Sequence, residues 1–157
     1  MKLGFIGTGK ITFSVISGIA KSSIKYKKII ISSRNRILSK KLKKKFKKIV
    51  IEKDNQNILD QCDWVFLAVT PNVGQKIIQK LRFKSNQTII SFISTINLLE
   101  LKKMIKVKAD IIRAIPLPPI SLKKGPVPIY PPNRKVKNFF DKIGSTIEIK
   151  NEKLSKN

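Results

Sequence analysis

A chain of 157 residues with 41% apolar content suits one compact domain with a true core and argues against wholesale disorder. It has no apolar run of about 18 residues, the minimum for a membrane-spanning helix, and MKLGFIGTGK at its start leaves no room for the regions of a secretory signal. The net charge of +25 raises the question of a polyanion partner. Only five basic residues are arginine (34, 36, 82, 113 and 134) and the other 29 are lysine. Phosphate-reading surfaces use arginine forks as well as lysine. The excess therefore reads first as compositional drift and a solvated lysine surface, with nucleic acid a remote alternative partner. The single cysteine, Cys62, has no internal partner, which fits a reducing compartment, with the cytoplasm as the default.

In chain order, Lys2–Ile6 (KLGFI) is a short apolar run ending at a glycine turn and predicts a buried strand. Ile11, Val15, Ile16 and Ile19 share one helical stripe running to about Ser22. Lys28–Ser32 (KIIIS) is a β-branched second strand. Leu38, Leu42 and Phe46 then recur every four residues among lysines, so that helix buries one narrow face. Residues 48–51 form a third strand. Asp54 or Asn55 can cap a short helix carrying Ile58 and Leu59. Trp64–Val69 is apolar without alternation, as expected of a central strand covered on both faces, and Pro71 ends it. Val73, Ile77, Ile78 and Leu81 mark a helix, Thr88–Phe92 a strand, Asn97–Ile105 a helix, and Asp110–Ala114 a strand. Seven of the eight prolines fall between residues 116 and 132, which predicts an extended, stiff segment packed on its own domain. Val136, Phe139, Phe140 and Ile143 mark one more helix and Thr146–Ile149 a last strand. The polar end, KNEKLSKN, is expected to fray. Strands alternating with helices imply crossover units. The fold class is thus α/β, a doubly wound Rossmann-type, mostly parallel sheet in a single domain over residues 1–150, with residues 151–157 as a polar tail.

Gly7-Thr8-Gly9-Lys10-Ile11-Thr12 follows the first strand and opens the first helix. The first glycine permits a tight turn, and the second lets backbone approach a pyrophosphate held at the helix N-terminus. Thr12 stands where a third glycine would set close packing. The second strand ends at Ser32-Ser33-Arg34-Asn35. A site for NAD places an acid here to take the ribose 2′-hydroxyl, whereas an arginine suits a 2′-phosphate. Residues 1–51 contain no Asp or Glu, so Ser33 and Arg34 point to NADP(H). There is no histidine, which removes imidazole acid–base chemistry and most zinc sites. The carboxylates show no paired or metal-ligating spacing, and Cys62 reads as a small buried thiol. No catalytic residue and no metal site emerge.

Together GFIGTGKI, ISSRN, DNQNILDQCDWVFLAVTP, IISFIST, IIRAIPLPP and FFDKIGSTIEIK resemble the N-terminal NADP-binding domain of the pyrroline-5-carboxylate reductase family. The likeness runs along essentially the whole chain. It implies reduction of an imine such as pyrroline-5-carboxylate in proline biosynthesis. It also implies cofactor contacts at Gly7, Thr8, Gly9, Lys10 and Ile11, and at Ser33 and Arg34 beside the adenosine ribose phosphate. Asn55 would contribute as well, with Ala68, Val69, Thr70 and Pro71 under the nicotinamide half and Ile93, Ser94 and Thr95 facing them. Three departures stand out. Thr70 replaces a usual lysine, Ser94-Thr95 an Ala-Gly pair, and Leu117 an asparagine. The family's helical dimerisation and substrate domain, with its Gly-Ser-Gly-Pro-Ala-Tyr-like segment, has no counterpart in these residues. The chain is therefore expected to be a truncated reductase, and the sequence leaves open whether a partner chain supplies the helical half. Two other classes remain open, a dinucleotide-binding or interaction module without catalysis and, more remotely, a basic nucleic-acid binder.

Overall fold

The computed structural model describes residues 1–152 and contains a single eight-stranded sheet. Its strands are β1 (Lys2–Ile6), β2 (Lys28–Ser32), β3 (Ile49–Glu52), β4 (Trp64–Leu67), β5 (Thr88–Ser91), β6 (Asp110–Ala114), β7 (Pro126–Tyr130) and β8 (Ser145–Glu148). The helices are α1 (Lys10–Ala20), α2 (Arg36–Lys45), α3 (Asn55–Gln61), α4 (Pro71–Lys80), α5 (Leu98–Ile105) and α6 (Arg134–Phe140). The spatial order is β3-β2-β1-β4-β5-β6-β7-β8. All neighbours are parallel except β6 and β7. This is the Rossmann-type doubly wound fold expected from the sequence.

The period-two geometry of strands sorts their side chains into two cores. Leu3, Phe5, Ile29, Ile31, Trp64 and Phe66 join Val15, Ile16 and Ile19 of α1 and Val136, Phe139 and Phe140 of α6 on one face. Ile6, Ile30, Val65 and Leu67 join Ile58 and Leu59 of α3, Ile78 of α4, and Leu101, Met104 and Ile105 of α5 on the other. Burial on both faces is why the central strands read as unbroken apolar runs. Phe5 stacks on Phe66 at 4.4 Å between centroids, and Trp64 lies 4.7 Å from Phe139, adding aromatic pairing to the burial. Helix α2 buries only Ser39 and Leu42, in keeping with its lysine-rich sequence. Asp54, rather than Asn55, caps α3, its carboxylate accepting from the Gln56 amide.

Three regions differ from the sequence expectation. The proline-rich stretch is not uniformly extended. Pro118–Leu122 forms a 3₁₀ helix and Pro126–Tyr130 turns back as antiparallel β7. The 3₁₀ helix docks on α1 at Gly18, where an added Cβ would lie 2.3 Å from the Ile120 carbonyl oxygen. A glycine is required at that close approach. Glu152 also departs from a fraying end, because its carboxylate is tied to Arg113 and to the Leu98 amide. Residues 153–157, the rest of the expected tail, lie outside the described residues. The candidate β4 strand stops at Leu67, so Ala68 and Val69 belong to the following turn.

Cys62 is buried and free, its sulfur filling the space a Gly4 side chain would need, 2.6 Å from an added Cβ. Its pKa is pushed up to about 12, first by burial and then by the Asp63 carboxylate, against a lowering by Lys2. The native chain is therefore expected to resist a thiol reagent at a pH of about 8, where an ordinary thiol of pKa about 8.5 reacts, and to react once unfolded in urea. Rapid labelling of the native chain would overturn this. The folded state keeps this thiol protonated after the unfolded thiol has ionised. Its contribution to stability is therefore complete below a pH of about 8.5 and declines as pH rises above it.

Candidate functional site

In a doubly wound sheet the strand order reverses at a switch point, and the crevice beyond the carboxyl ends of the strands there is the natural ligand site. Here the reversal lies between β1 and β4. The turn after β1 is built for close backbone packing. Gly7 has φ +101°, and an added Cβ would lie 2.4 Å from the Ala68 carbonyl oxygen. The Thr8 hydroxyl donates to the Ser32 carbonyl at 2.7 Å, joining this turn to the end of β2. Thr12 is fully buried and its hydroxyl donates to the Gly7 carbonyl at 2.9 Å. The bulkier residue in place of a third glycine thus serves as a brace for the turn.

Gly9 contrasts with Gly7. An added Cβ would meet nothing within 4 Å, and Gly9 is the N-cap of α1 with no side-chain capping bond. The first-turn amides of α1 thus face open space without a side-chain acceptor, an arrangement that favours an anion.

Three cavities surround this turn. The first, of about 640 Å³, is lined by Gly7, Thr8, Gly9, Arg34, Ala68, Val69 and Thr70, together with Asn35, Arg36, Ile37 and Val73. A smaller one of about 220 Å³ adjoins it between Gly7, Ser32, Ser33, Arg34, Lys53, Asn55, Val69 and Ile77. The third, of about 740 Å³, lies along α1 and brings Lys10, Ile11 and Ser94 together with Phe13, Phe92 and Ile115. No acidic residue lines any of the three, so the crevice is electropositive throughout.

Of the residues singled out from sequence, twelve therefore line one of these three cavities, and Pro71, Ile93 and Thr95 do not. Pro71 is the first residue of α4 after its cap Thr70. Ile93 is buried and would be only 2.9 Å from a Cβ at Gly74. Thr95 is exposed on the turn after β5. Leu117 lies at the start of the 3₁₀ helix and is exposed.

Sequence reasoning missed Asn35, Arg36, Ile37, Lys53 and Val73. Asn35 caps α2, accepting from the Leu38 amide at 3.1 Å, and this sets where α2 starts. Arg36 and Ile37 project from that first turn, Ile37 81% exposed, which is conspicuous for a large apolar side chain beside a cavity. The available signal was a pair of arginines straddling a capping asparagine. No group of three or more metal-ligating side chains occurs among the described residues. No helix among them is long and apolar enough to cross a membrane.

Residues 2–96 match the family model described as NADP oxidoreductase coenzyme F420-dependent. The chain is 26% identical over 128 residues to pyrroline-5-carboxylate reductase 3 of Danio rerio, covering 80% of this chain and 44% of that protein. Among solved structures, 1-pyrroline-5-carboxylate reductase from Streptococcus pyogenes superimposes with a TM-score of 0.78 at 26% identity, over 98% of this chain and 59% of that one. Plasmodium falciparum pyrroline carboxylate reductase with NADP bound gives 0.80 at 23% identity, over 96% and 58%; at that identity the likeness is one of fold. The chain spans about half the length of the curated relatives it matches. With a phosphate-ready glycine turn at the switch point of a Rossmann sheet, and a family match over residues 2–96, the chain belongs to the NADP oxidoreductase, coenzyme F420-dependent family and is an NADP-binding oxidoreductase domain related to the pyrroline-5-carboxylate reductases.

Proposed function

We propose that residues 1–150 hold NADP(H) across the β1/β4 crevice for hydride transfer to an imine such as pyrroline-5-carboxylate, in proline biosynthesis. The observation that carries this is the open approach at Gly9, beside uncapped α1 amides and a rim containing Arg34, Arg36 and Lys53 without an acid. These residues fit a phosphorylated dinucleotide in size and charge.

The Gly7–Gly9 backbone, with Lys10 and Ile11 behind it, would take the diphosphate. Ser33 and Arg34 would take the phosphate on the adenosine ribose, with Asn55 closing that end. Ala68, Val69 and Thr70 would bound the nicotinamide end, with Ser94 on the β5 side of it. When bound, NADPH supplies the hydride. The chain's own part is to orient and to neutralise charge, since no histidine or carboxylate lines the crevice to exchange a proton. A helical domain, as in the pyrroline-5-carboxylate reductases that the sequence resembles, would complete the imine site. The cytoplasm is the proposed setting.

A fluorescence titration tests the cofactor assignment. NADPH is expected to bind at least tenfold more tightly than NADH, a charge-assisted contact to phosphate contributing about 1.5–3 kcal/mol. Equal affinities would sink it. NADPH oxidation with pyrroline-5-carboxylate, with and without a separately expressed helical domain, distinguishes a reductase from a module that only holds nucleotide.

A further inference from the structure

Arg113 stands near the carboxyl end of β6, between the buried Ile112 and Ala114, and is only 2% exposed. A guanidinium stays charged at any physiological pH, so burying one is costly unless charged and polar partners surround it. One of its nitrogens, Nη2, donates to the Ser94 carbonyl at 2.6 Å. The other, Nη1, donates to Glu152 Oε2, also at 2.6 Å. The same carboxylate oxygen accepts from the Leu98 amide at 2.8 Å. Leu98 is the first residue of α5, whose N-terminus is otherwise closed by a capping box between Asn97 and Glu100.

The sheet does not need these bonds. The backbone of Arg113 already pairs with Ser91 of β5 and Tyr130 of β7. What the side chain does is grip the turn from β5 into α5 at its middle, Ser94, and through Glu152 at its end, Leu98. The Ser91 hydroxyl oxygen, accepting from the Ile93 amide at 3.1 Å, fixes the start of the same turn. Ser94 lines the α1 cavity with Lys10 and Ile11. It lies in the β4–β6 half of the sheet, on the other side of the glycine turn from Arg34, where a dinucleotide spanning the switch point places its second half.

Resting on the NADP(H) reading above, we propose that Arg113 and Glu152 form a positioning pair that sets the turn at residues 93–98 against the nicotinamide half of the cofactor. Glu152, although it follows the last strand, thereby helps to frame the cofactor site. Neither residue touches the dinucleotide in this proposal; both act through the Ser94 carbonyl and the Leu98 amide.

The test uses the full chain and two probes, NADPH and adenosine 2′,5′-bisphosphate, which carries the adenosine end without nicotinamide. Glu152→Gln is expected to weaken NADPH binding three- to tenfold, to leave adenosine 2′,5′-bisphosphate within twofold, and to speed hydrogen exchange at the Leu98 amide in the cofactor-free protein. Glu152→Asp, which keeps the charge but shortens its reach, should show the same pattern and serves if the glutamine variant folds poorly. A merely structural role predicts equal losses for both probes. Equal losses, or unchanged NADPH affinity while Leu98 exchanges faster, would overturn the positioning pair alone. A wild-type chain that binds neither probe would overturn the NADP(H) reading and the pair with it.

Discussion

Replacing Gly9 with alanine is expected to weaken NADPH binding tenfold or more while leaving the melting temperature unchanged or slightly raised; Gly7→Ala is expected to unfold the turn. The two glycines lie two residues apart and their backbones make opposite demands. Gly9 has φ −105° and ψ −169°, an extended conformation open to alanine, and an added methyl meets nothing within 4 Å. In the cofactor-free chain the substitution should be neutral, or stabilising by up to about 1 kcal/mol through the unfolded state. The space that methyl enters is where a diphosphate must approach the α1 amides, whose contacts to a charged group contribute about 1.5–3 kcal/mol. Losing them corresponds to roughly a 10- to 150-fold loss of affinity. At Gly7, with φ +101° and the Ala68 carbonyl 2.4 Å from an added Cβ, positive-φ strain and overpacking against backbone combine to cost about 3 kcal/mol. The melting temperature should fall by roughly 10 °C. Thermal denaturation without cofactor, followed by NADPH titration below the transition, checks both variants. A Gly9→Ala chain that melts early, or that binds NADPH normally, would show that the open face of the turn is not the diphosphate site.

The parts legible in the sequence were those whose local pattern and tertiary fate agree. The strands β1, β2, β4 and β5 lie inside a sheet covered by helices on both faces, so their burial is nearly continuous, and a continuous apolar run is what such burial requires. The glycine turn was legible because a tight turn and a close backbone approach each leave a chemical signature. Illegible features depend on partners distant in sequence. Pro118–Leu122 reads as an extended proline segment until Gly18, a hundred residues earlier, is seen to admit the Ile120 carbonyl. Arg113 reads as one more cation in a basic chain, and its role emerges only with Glu152, 39 residues away. The crevice itself was half visible. Strand ends carry recognisable motifs, whereas Arg36, Ile37 and Val73 reach the cavity because of where α2 and α4 begin. Lys53 reaches it because β3 lies beside β2.

Arg34→Ala is expected to lower NADPH affinity at least tenfold and to leave NADH affinity nearly unchanged, and Arg34→Glu to lower NADPH affinity by more than a hundredfold. Arg34 lines both the main cavity and the smaller one beside Ser33, Lys53 and Asn55. It is the one cation common to the two, at the end of β2 where the group on the adenosine ribose distinguishes the cofactors. Its backbone amide donates to the Ser32 hydroxyl oxygen at 3.2 Å, which fixes the turn while leaving the guanidinium to project from an exposed residue. A net charge of +25 attracts any anion from a distance, and NADPH more than NADH because the 2′-phosphate adds about −1.5 to −2 of charge, but that attraction is screened beyond about 8 Å at physiological salt. Discrimination must therefore come from a contact inside that length. In the proposed site Arg34 would supply it, and Arg36 and Lys53, each lining only one of the two cavities, would add less, so Lys53→Ala should cost NADPH less than Arg34→Ala does. An acid at position 34 would repel a 2′-phosphate yet accept from a 2′-hydroxyl, and NADH binding should survive the reversal. Titrations of both cofactors at about 0.15 M salt decide the matter. Parallel losses for NADH and NADPH would mean that Arg34 does not meet the 2′-phosphate, which would then have to sit elsewhere on the rim.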